Sequence, residues 1–202
     1  MSQLAKGYLN SCFHNLAMLY LASKSPRRRQ ILKKSGIEFS VLMPKIKEVV
    51  KEKEPRKRAI LIAEKKVRSV AHKVEKGIIL GVDTIVVIGK RVLGKPKSKQ
   101  EAKRMLLLLS RKNHRVISGI FLLKKPEGKI IKSYEETKVR FRKLSNQEIE
   151  NYLNTREPYD KAGAYAIQGQ GGLFIAKIEG CYQNVIGFPL PKILKLLKKL
   201  RP

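Results

Sequence analysis

The 202-residue chain contains two aspartates, and one of them, Asp83, stands inside the apolar run IILGVDTIVVI at 78–88. A carboxylate in such a run costs free energy unless a cation or a metal meets it. Mg²⁺ is held by one or two carboxylates together with substrate phosphates, and a carboxylate so placed can also orient or deprotonate a water. Asp83 is therefore the leading candidate for metal-assisted phosphate chemistry. The bland alternative is an aspartate at a strand end, satisfied by backbone N–H groups, if the strand stops at Gly81.

Two further constellations could serve that chemistry. Ser23-Lys24-Ser25-Pro26-Arg27-Arg28-Arg29 lies between a strand-like and a helix-like stretch. A helix N-terminus offers free N–H groups and a positive dipole end to phosphate oxygens, serine hydroxyls add donors, and arginine grips phosphate bidentately. An ordinary capped helix with exposed arginines would look the same. The second is Asp160-Lys161-Ala162-Gly163-Ala164-Tyr165-Ala166-Ile167-Gln168-Gly169, followed by Gly171-Gly172. Its small residues suggest close backbone approach. Gln168 carries both a donor and an acceptor, which suits reading a base edge. A structural turn, with Asp160 and Lys161 as a plain ion pair, is the competing view. Glu48 and Lys66, each taken alone, read as surface residues. His14, His72 and His114 show no metal-ligand spacing and are expected to be non-catalytic.

The elements that must position these residues alternate along the chain. Residues 16–22 read as a buried strand. Pro26–Lys34 reads as a helix with Ser25 as N-cap and Pro26 at its first position. A short strand fits Phe39–Leu42, and a long helix fits 56–76, with apolar residues at Ile60, Ala63, Val67, Val70 and Val74. A β-rich run at 78–88 ends in a turn at Gly89-Lys90, and Gly94-Lys95-Pro96 breaks the chain again. Ser98 with Glu101, and Ser145 with Glu148, read as capping boxes opening two helices. Strands at 116–123 and 129–141 flank a turn at Pro126-Glu127-Gly128. A strand is expected at 172–178 and a basic helix from Pro191. The sum is an α/β fold with a mixed central sheet flanked by helices.

Composition excludes several classes. No apolar run approaches the roughly 20 residues needed to span a bilayer, and the first stretch lacks a signal-peptide pattern. Cys12 and Cys181 lie far apart without a CxxC, so neither a zinc site nor a disulfide framework is indicated. Lys and Arg number 45 against 16 Asp and Glu, a net +29. That field attracts polyanions, but the excess is spread along the chain rather than gathered in an arm. There is no Trp, no RNP-like aromatic pattern and no helix-turn-helix spacing. The terminal basic helix could lie on a membrane surface or pack on the core, and packing is the expectation.

Taken together, LASKSPRRRQILKKSG, GVDTIVVI with LGKP, LSRKNHRVISG, EPYDKAGAYAIQG and IEGCYQNVIGFP stand in one order and register. That combination resembles the Maf family of nucleotide pyrophosphatases over residues 18 to the C-terminus. The resemblance implies a Maf/ITPase-like fold of two lobes around a nucleotide cleft. It implies a cytoplasmic hydrolase that cuts nucleoside triphosphates to the monophosphate and pyrophosphate with a divalent metal, Mg²⁺ or Mn²⁺. The DKAGAYAIQG form looks like the subfamily preferring dTTP and UTP. It makes Asp83 the proton acceptor and a metal contact, with Glu48 as the second metal ligand. Ser23, Ser25, Arg27, Arg28, Lys66, Lys95, Thr84 and Gln168 would bind substrate. Arg27, Thr84 and Gln168 align with positions linked to base choice. The triphosphate would then lie between the 23–28 and 161–169 loops. A homodimer rests on the resemblance alone.

This chain departs from the pattern in three ways. Val82 replaces the usual alanine before the aspartate, Lys47 stands where a second acid is common, and the basicity is unusually high. Residues 1–17 have no counterpart in the family and are expected to be a peripheral extension. The rival functions are a basic nucleic-acid-binding protein and a division regulator, both without catalysis.

Overall fold

The computed structural model describes residues 17–201, so the extension expected at 1–17 lies, but for Ala17, outside the described residues. The elements are β1 (Leu19–Ala22), α1 (Pro26–Lys34), β2 (Phe39–Leu42), α2 (Pro55–Arg68), β3 (Gly77–Ile88), β4 (Arg91–Leu93), α3 (Lys99–Leu109), β5 (Asn113–Lys125), β6 (Lys129–Phe141), α4 (Asn146–Leu153), β7 (Ile175–Glu179), α5 (Tyr182–Ile186) and α6 (Leu190–Lys198). The strands form one seven-stranded mixed sheet in the order β2-β1-β3-β5-β6-β7, with β4 paired to β3. The mixed α/β class expected from the sequence is the class observed. The chain divides into two compact units. One takes in the described residues to Asp83, Gly119–Tyr134 and the stretch from Gly187 onward; the other takes in Thr84–Ser118 and Glu135–Ile186. Strands β3, β5 and β6 each contribute residues to both.

In the first unit β1 is paired in parallel on both sides, to β2 with Ala22 opposite Leu42 and to β3 with Ala22 opposite Gly81. Ser25 caps α1, accepting from the Arg28 N–H, and Pro26 starts it where its missing N–H costs nothing. Glu54 caps α2 by accepting from the Arg56 and Lys57 N–H groups. The core beneath is built from Leu19, Leu21, Ile78, Leu80, Ile120 and Leu122 with α6, whose Leu190, Ile193, Leu196 and Leu197 are buried. Each such side chain stabilises the fold by roughly 1.5–3 kcal/mol on burial. The basic terminal helix thus spends its apolar face on the core, as expected, and not on a membrane.

The long helix expected at 56–76 is a correction. It stops at Arg68: the Ser69 hydroxyl donates to the Lys66 carbonyl at 2.8 Å, the backbone leaves helical geometry at Val70 (φ −120°, ψ −4°), and a 3-10 turn follows at Ala71–Lys73. Val70 and Val74 are nevertheless buried beside Val67 and Phe121. Their spacing reported burial, which a helix and a turn deliver together.

The second unit packs α3 and α4 on a core of Leu106, Leu109, Val116, Val139, Phe141, Tyr152 and Phe174. Ser145 and Glu148 form the expected capping box. At α3 only half of the box forms: Ser98 accepts from the Glu101 N–H at 3.1 Å, but the Glu101 carboxylate takes the Lys97 N–H at 2.8 Å. The last strand begins at Ile175 rather than at 172, since Gln170–Phe174 winds as a 3-10 turn. A side chain at Gly171 would sit 2.8 Å from the Tyr152 hydroxyl, so that turn is pressed against α4. Strand β4 and helix α5, both short, are additions to the elements read from sequence.

Candidate active site

The strand order β2-β1-β3 means that the chain leaves β1 to one side and returns on the other. Open α/β sheets bind ligands outside the carboxyl ends of strands at such a switch point. The pairing of Ala22 with Gly81 brings Ser23 to the level of Val82, one residue before Asp83. Strand β3 runs on without interruption to Ile88, so Asp83 is an interior strand residue and not a strand end.

Asp83 is 6% exposed and Lys66 5% exposed. Lys66 Nζ lies 2.6 Å from Asp83 Oδ1 and 2.8 Å from Glu48 Oε1. Two carboxylates therefore share one buried ammonium. The half-exposed Glu48 reaches it from the irregular segment between β2 and α2. That segment is tied to α2 by Lys65, which donates to the Val49 carbonyl at 2.9 Å.

The reach of Lys66 depends on two glycines. A Cβ on Gly81 would fall 2.4 Å from the Ala63 carbonyl oxygen, and one on Gly119 would fall 2.2 Å from the Ala59 carbonyl carbon. Helix α2 lies on β3 and β5 with Ala59 and Ala63 against bare backbone. One turn beyond Ala63 on the same helix face, and two residues beyond Gly81 on the same strand face, stand Lys66 and Asp83. The sequence offered Gly81 as part of a motif and Lys66 as a surface residue; only the close approach of helix to sheet makes them partners.

The loop after β1 holds the remaining residues of this unit. Ser23 is buried and accepts from the Ser25 N–H at 3.1 Å, while Ser25 caps α1. Arg27 is half-buried in the first turn of α1. Arg28 donates from Nε to the Gly187 carbonyl at 2.9 Å and from Nη1 to the Val82 carbonyl at 2.7 Å. Burial makes the Arg28 guanidinium less basic than usual, and Asp83 and then Glu48 oppose that shift. Arg28 thus grips the peptide that leads into Asp83.

In the second unit Thr84 Oγ1 is 2.8 Å from Ser118 Oγ. Ser118 lies in the quoted segment LSRKNHRVISG, but nothing in that pattern singled it out. Two separate motifs meet here: the Gly163 N–H donates to the Gly94 carbonyl at 3.0 Å, so the turn bearing the exposed Lys95 is held to the DKAGAY loop. Gly163 adopts φ 72°, and a Cβ there would press on Val86 at 3.0 Å. Lys161 and Asp160 do form an ion pair. Gln168 is exposed and its side chain makes no hydrogen bond among the described residues. A buried polar knot that sequence reasoning missed surrounds Asn184, whose Nδ2 donates to the Val116 carbonyl at 2.9 Å and to Thr137 Oγ1 at 3.1 Å.

Among the described residues no group of three or more His, Cys, Asp or Glu is placed to hold a metal. The donor set that converges is Glu48 and Asp83, two hard oxygen ligands that already share one cation. That set fits a divalent ion completed by phosphate oxygens. His114 is packed against Phe141 and bonded to the Tyr165 hydroxyl at 2.8 Å, and His72 lies in the 3-10 turn. Tyr165 is pushed above its usual range by burial. No described helix is long and apolar enough to cross a membrane.

A family model described as "Maf-like protein" matches residues 18–200. A dTTP/UTP pyrophosphatase of Carboxydothermus hydrogenoformans is 44% identical over 181 residues, covering 90% of this chain and 97% of that protein. One from Thermoanaerobacter sp. strain X514 is 47% identical over 182 residues, covering 90% and 95%. One from Dictyoglomus thermophilum is 42% identical over 188 residues, covering 90% and 95%. Among solved structures, the Staphylococcus aureus Ham1 protein superposes with a TM-score of 0.51 at 13% identity, over 91% of this chain and all of that one. At that identity the likeness concerns the fold alone.

Proposed function

The chain belongs to the Maf-like protein family and is a nucleoside triphosphate pyrophosphatase, and from that premise we propose that it acts on dTTP and UTP through the cluster around Asp83. The observation that carries this reading is the convergence of Glu48 and Asp83 on Lys66 next to the loop that opens α1. The relatives at 42–47% identity named dTTP/UTP pyrophosphatase support the choice of substrate.

The proposed reaction is an in-line displacement at the α-phosphorus. Asp83 accepts a proton from the attacking water, the new bond forms to the α-phosphorus, and the bond to the pyrophosphate oxygen breaks. Ser23, Ser25 and Arg27, with the positive end of the α1 dipole, hold phosphate oxygens. Arg28 fixes the Val82–Asp83 backbone, so the acceptor is placed before substrate arrives. Lys66 and Lys95 offset negative charge. Glu48 and Asp83 are the residues that would hold Mg²⁺ or Mn²⁺, which when bound neutralises phosphate charge and polarises its P–O bonds. Thr84 and Gln168, with Arg27, are assigned to base choice.

We assign the cytoplasm as the compartment and residues 18–202 as the pyrophosphatase domain, with a homodimer as the assembly to test. The +29 charge is read as a Lys-rich solvated surface; a nucleic-acid-binding or division-regulating protein without catalysis is not favoured. The test is pyrophosphate release from a panel of dTTP, UTP, dCTP, dGTP and 7-methyl-GTP with Mg²⁺ or Mn²⁺. Fast release from dTTP and UTP, abolished in D83N, supports the assignment. Equal turnover of all five, or a salt-sensitive DNA shift without hydrolysis, would overturn it.

A further inference from the structure

We propose that Glu157 is a positioning residue that sets the conformation of the Gln168 loop and, through it, the selectivity for the base. The inference rests on the reading of Gln168 as a base-reading residue and adds how that residue is held.

Three donors converge on one carboxylate. The Gly171 N–H donates to Glu157 Oε1 at 3.0 Å, the Gln170 N–H donates to Oε2 at 3.0 Å, and the Tyr152 hydroxyl donates to Oε1 at 2.9 Å. Glu157 is itself anchored, since its N–H donates to Thr155 Oγ1 at 3.2 Å. Tyr152 is buried, with its ring edge-on to Phe174 at 4.9 Å between centroids. The acceptor is thus fixed from the core side, and the two amides it takes are those that follow Gln168 and Gly169 directly.

The fit leaves no room for a side chain between them. A Cβ on Gly169 would lie 2.3 Å from Glu157 Oε2. A side chain at Gly169 would therefore have to push this carboxylate out of its present position. A charged acceptor for two adjacent amides stabilises one loop conformation against the many an exposed glycine-rich segment could adopt. Gln168, exposed and uncommitted among the described residues, borrows its position from that arrangement. A loosely held amide side chain would lose discrimination between base edges before it lost catalysis.

E157Q is the stringent probe, because it keeps the shape and turns one acceptor oxygen into an N–H₂ facing an N–H. The expected result is about a tenfold fall in the ratio of kcat/KM for dTTP over dGTP, the equivalent of one ordinary hydrogen bond. It should appear mainly as a rise in KM for dTTP rather than a loss of kcat. Hydrogen exchange of the Gln170 and Gly171 amides should quicken at the same time. G169A, which displaces the same carboxylate from the other side, should give the same pattern if E157Q proves too unstable to assay.

Q168A separates this inference from the reading beneath it. If Q168A leaves the ratio unchanged, the base-reading role of Gln168 fails, whatever Glu157 does. If Q168A lowers the ratio, the double variant E157Q/Q168A should be no less selective than Q168A alone. Additive losses in the double variant, or unchanged amide exchange in E157Q, overturn the positioning role.

Discussion

Lys66 Nζ donates to Asp83 Oδ1 at 2.6 Å, with both side chains more than nine-tenths buried. The pair is completed by Glu48 from a segment without regular structure. In D83N the amide still offers an acceptor oxygen to Lys66 while the proton acceptor is gone. Turnover should drop roughly 10²- to 10⁴-fold, the usual contribution of a positioned base. The unfolding midpoint should move little, as followed by thermal denaturation beside the pyrophosphate assay. A D83N enzyme that retains turnover would remove Asp83 from the mechanism.

Replacing the shared ammonium tests the cluster from the other side. K66M removes the ammonium that the two carboxylates share and leaves the Arg28 guanidinium as a nearby positive charge. Removing one partner of a buried pair costs about 3 kcal/mol, and the half-exposed Glu48 keeps the penalty toward the low end. In chelator, K66M should unfold at lower urea than the parent. Added Mg²⁺ or Mn²⁺ should restore more stability to K66M than to the parent, because the ion no longer competes with the Lys66 ammonium for the two carboxylates. Equal metal-induced shifts in both proteins would argue that the ion binds elsewhere.

Much of this was legible in the chain, and what was not had a physical cause. Ser25-Pro26 marked the start of α1 because capping is local chemistry, and the hairpin turn at Pro126-Glu127-Gly128 was readable for the same reason. Asp83 stood out because a charge in an apolar run needs an explanation. Lys66 and Glu48 were visible only through resemblance, since their meeting depends on Ala63 lying against Gly81 across the fold. The end of α2 at Arg68 was hidden because Val70 and Val74 keep helical spacing and stay buried while the chain passes from the helix into a 3-10 turn. Arg28 was placed at the phosphates by resemblance, and a sequence cannot show that its guanidinium also meets the Val82 and Gly187 carbonyls.

G81A tests the close approach directly. The added methyl would fall 2.4 Å from a backbone oxygen, which cannot rotate away. Overpacking of this kind costs about 1–3 kcal/mol. The variant should lose stability by that amount in urea and lose activity more than in proportion, because any retreat of α2 withdraws Lys66 from Asp83. An active, fully stable G81A would show that helix-to-strand spacing does not set the geometry.

His114 supplies a pH test independent of the catalytic cluster. Burial lowers its pKa to about 4 from 6.5, with the Lys112 backbone pulling weakly the other way. Between those values the unfolded chain binds the proton and the folded chain does not, so stability falls as pH drops from 6.5 toward 4. The full contribution is about 3 kcal/mol. Urea unfolding at pH 7.0 and 4.5 should show a steeper acid loss in the parent than in H114Q, which has no ring to protonate. Equal acid losses would mean that His114 titrates normally.

Arg28 offers the sharpest distinction between holding substrate and holding the enzyme. Its Nε and Nη1 each donate to a backbone carbonyl, and the Val82 carbonyl belongs to the peptide entering Asp83. Lysine has a single ammonium on a flexible stem and does not reproduce a planar fork that bridges two carbonyls. If Arg28 positions Asp83, R28K lowers kcat by about tenfold or more while KM for dTTP changes little, because the acceptor is displaced and the phosphate contacts of Arg27 and the α1 N-terminus remain. If Arg28 chiefly grips the triphosphate, KM rises and kcat holds. Steady-state kinetics with dTTP, taken with a circular dichroism check that R28K is folded, decides between the two.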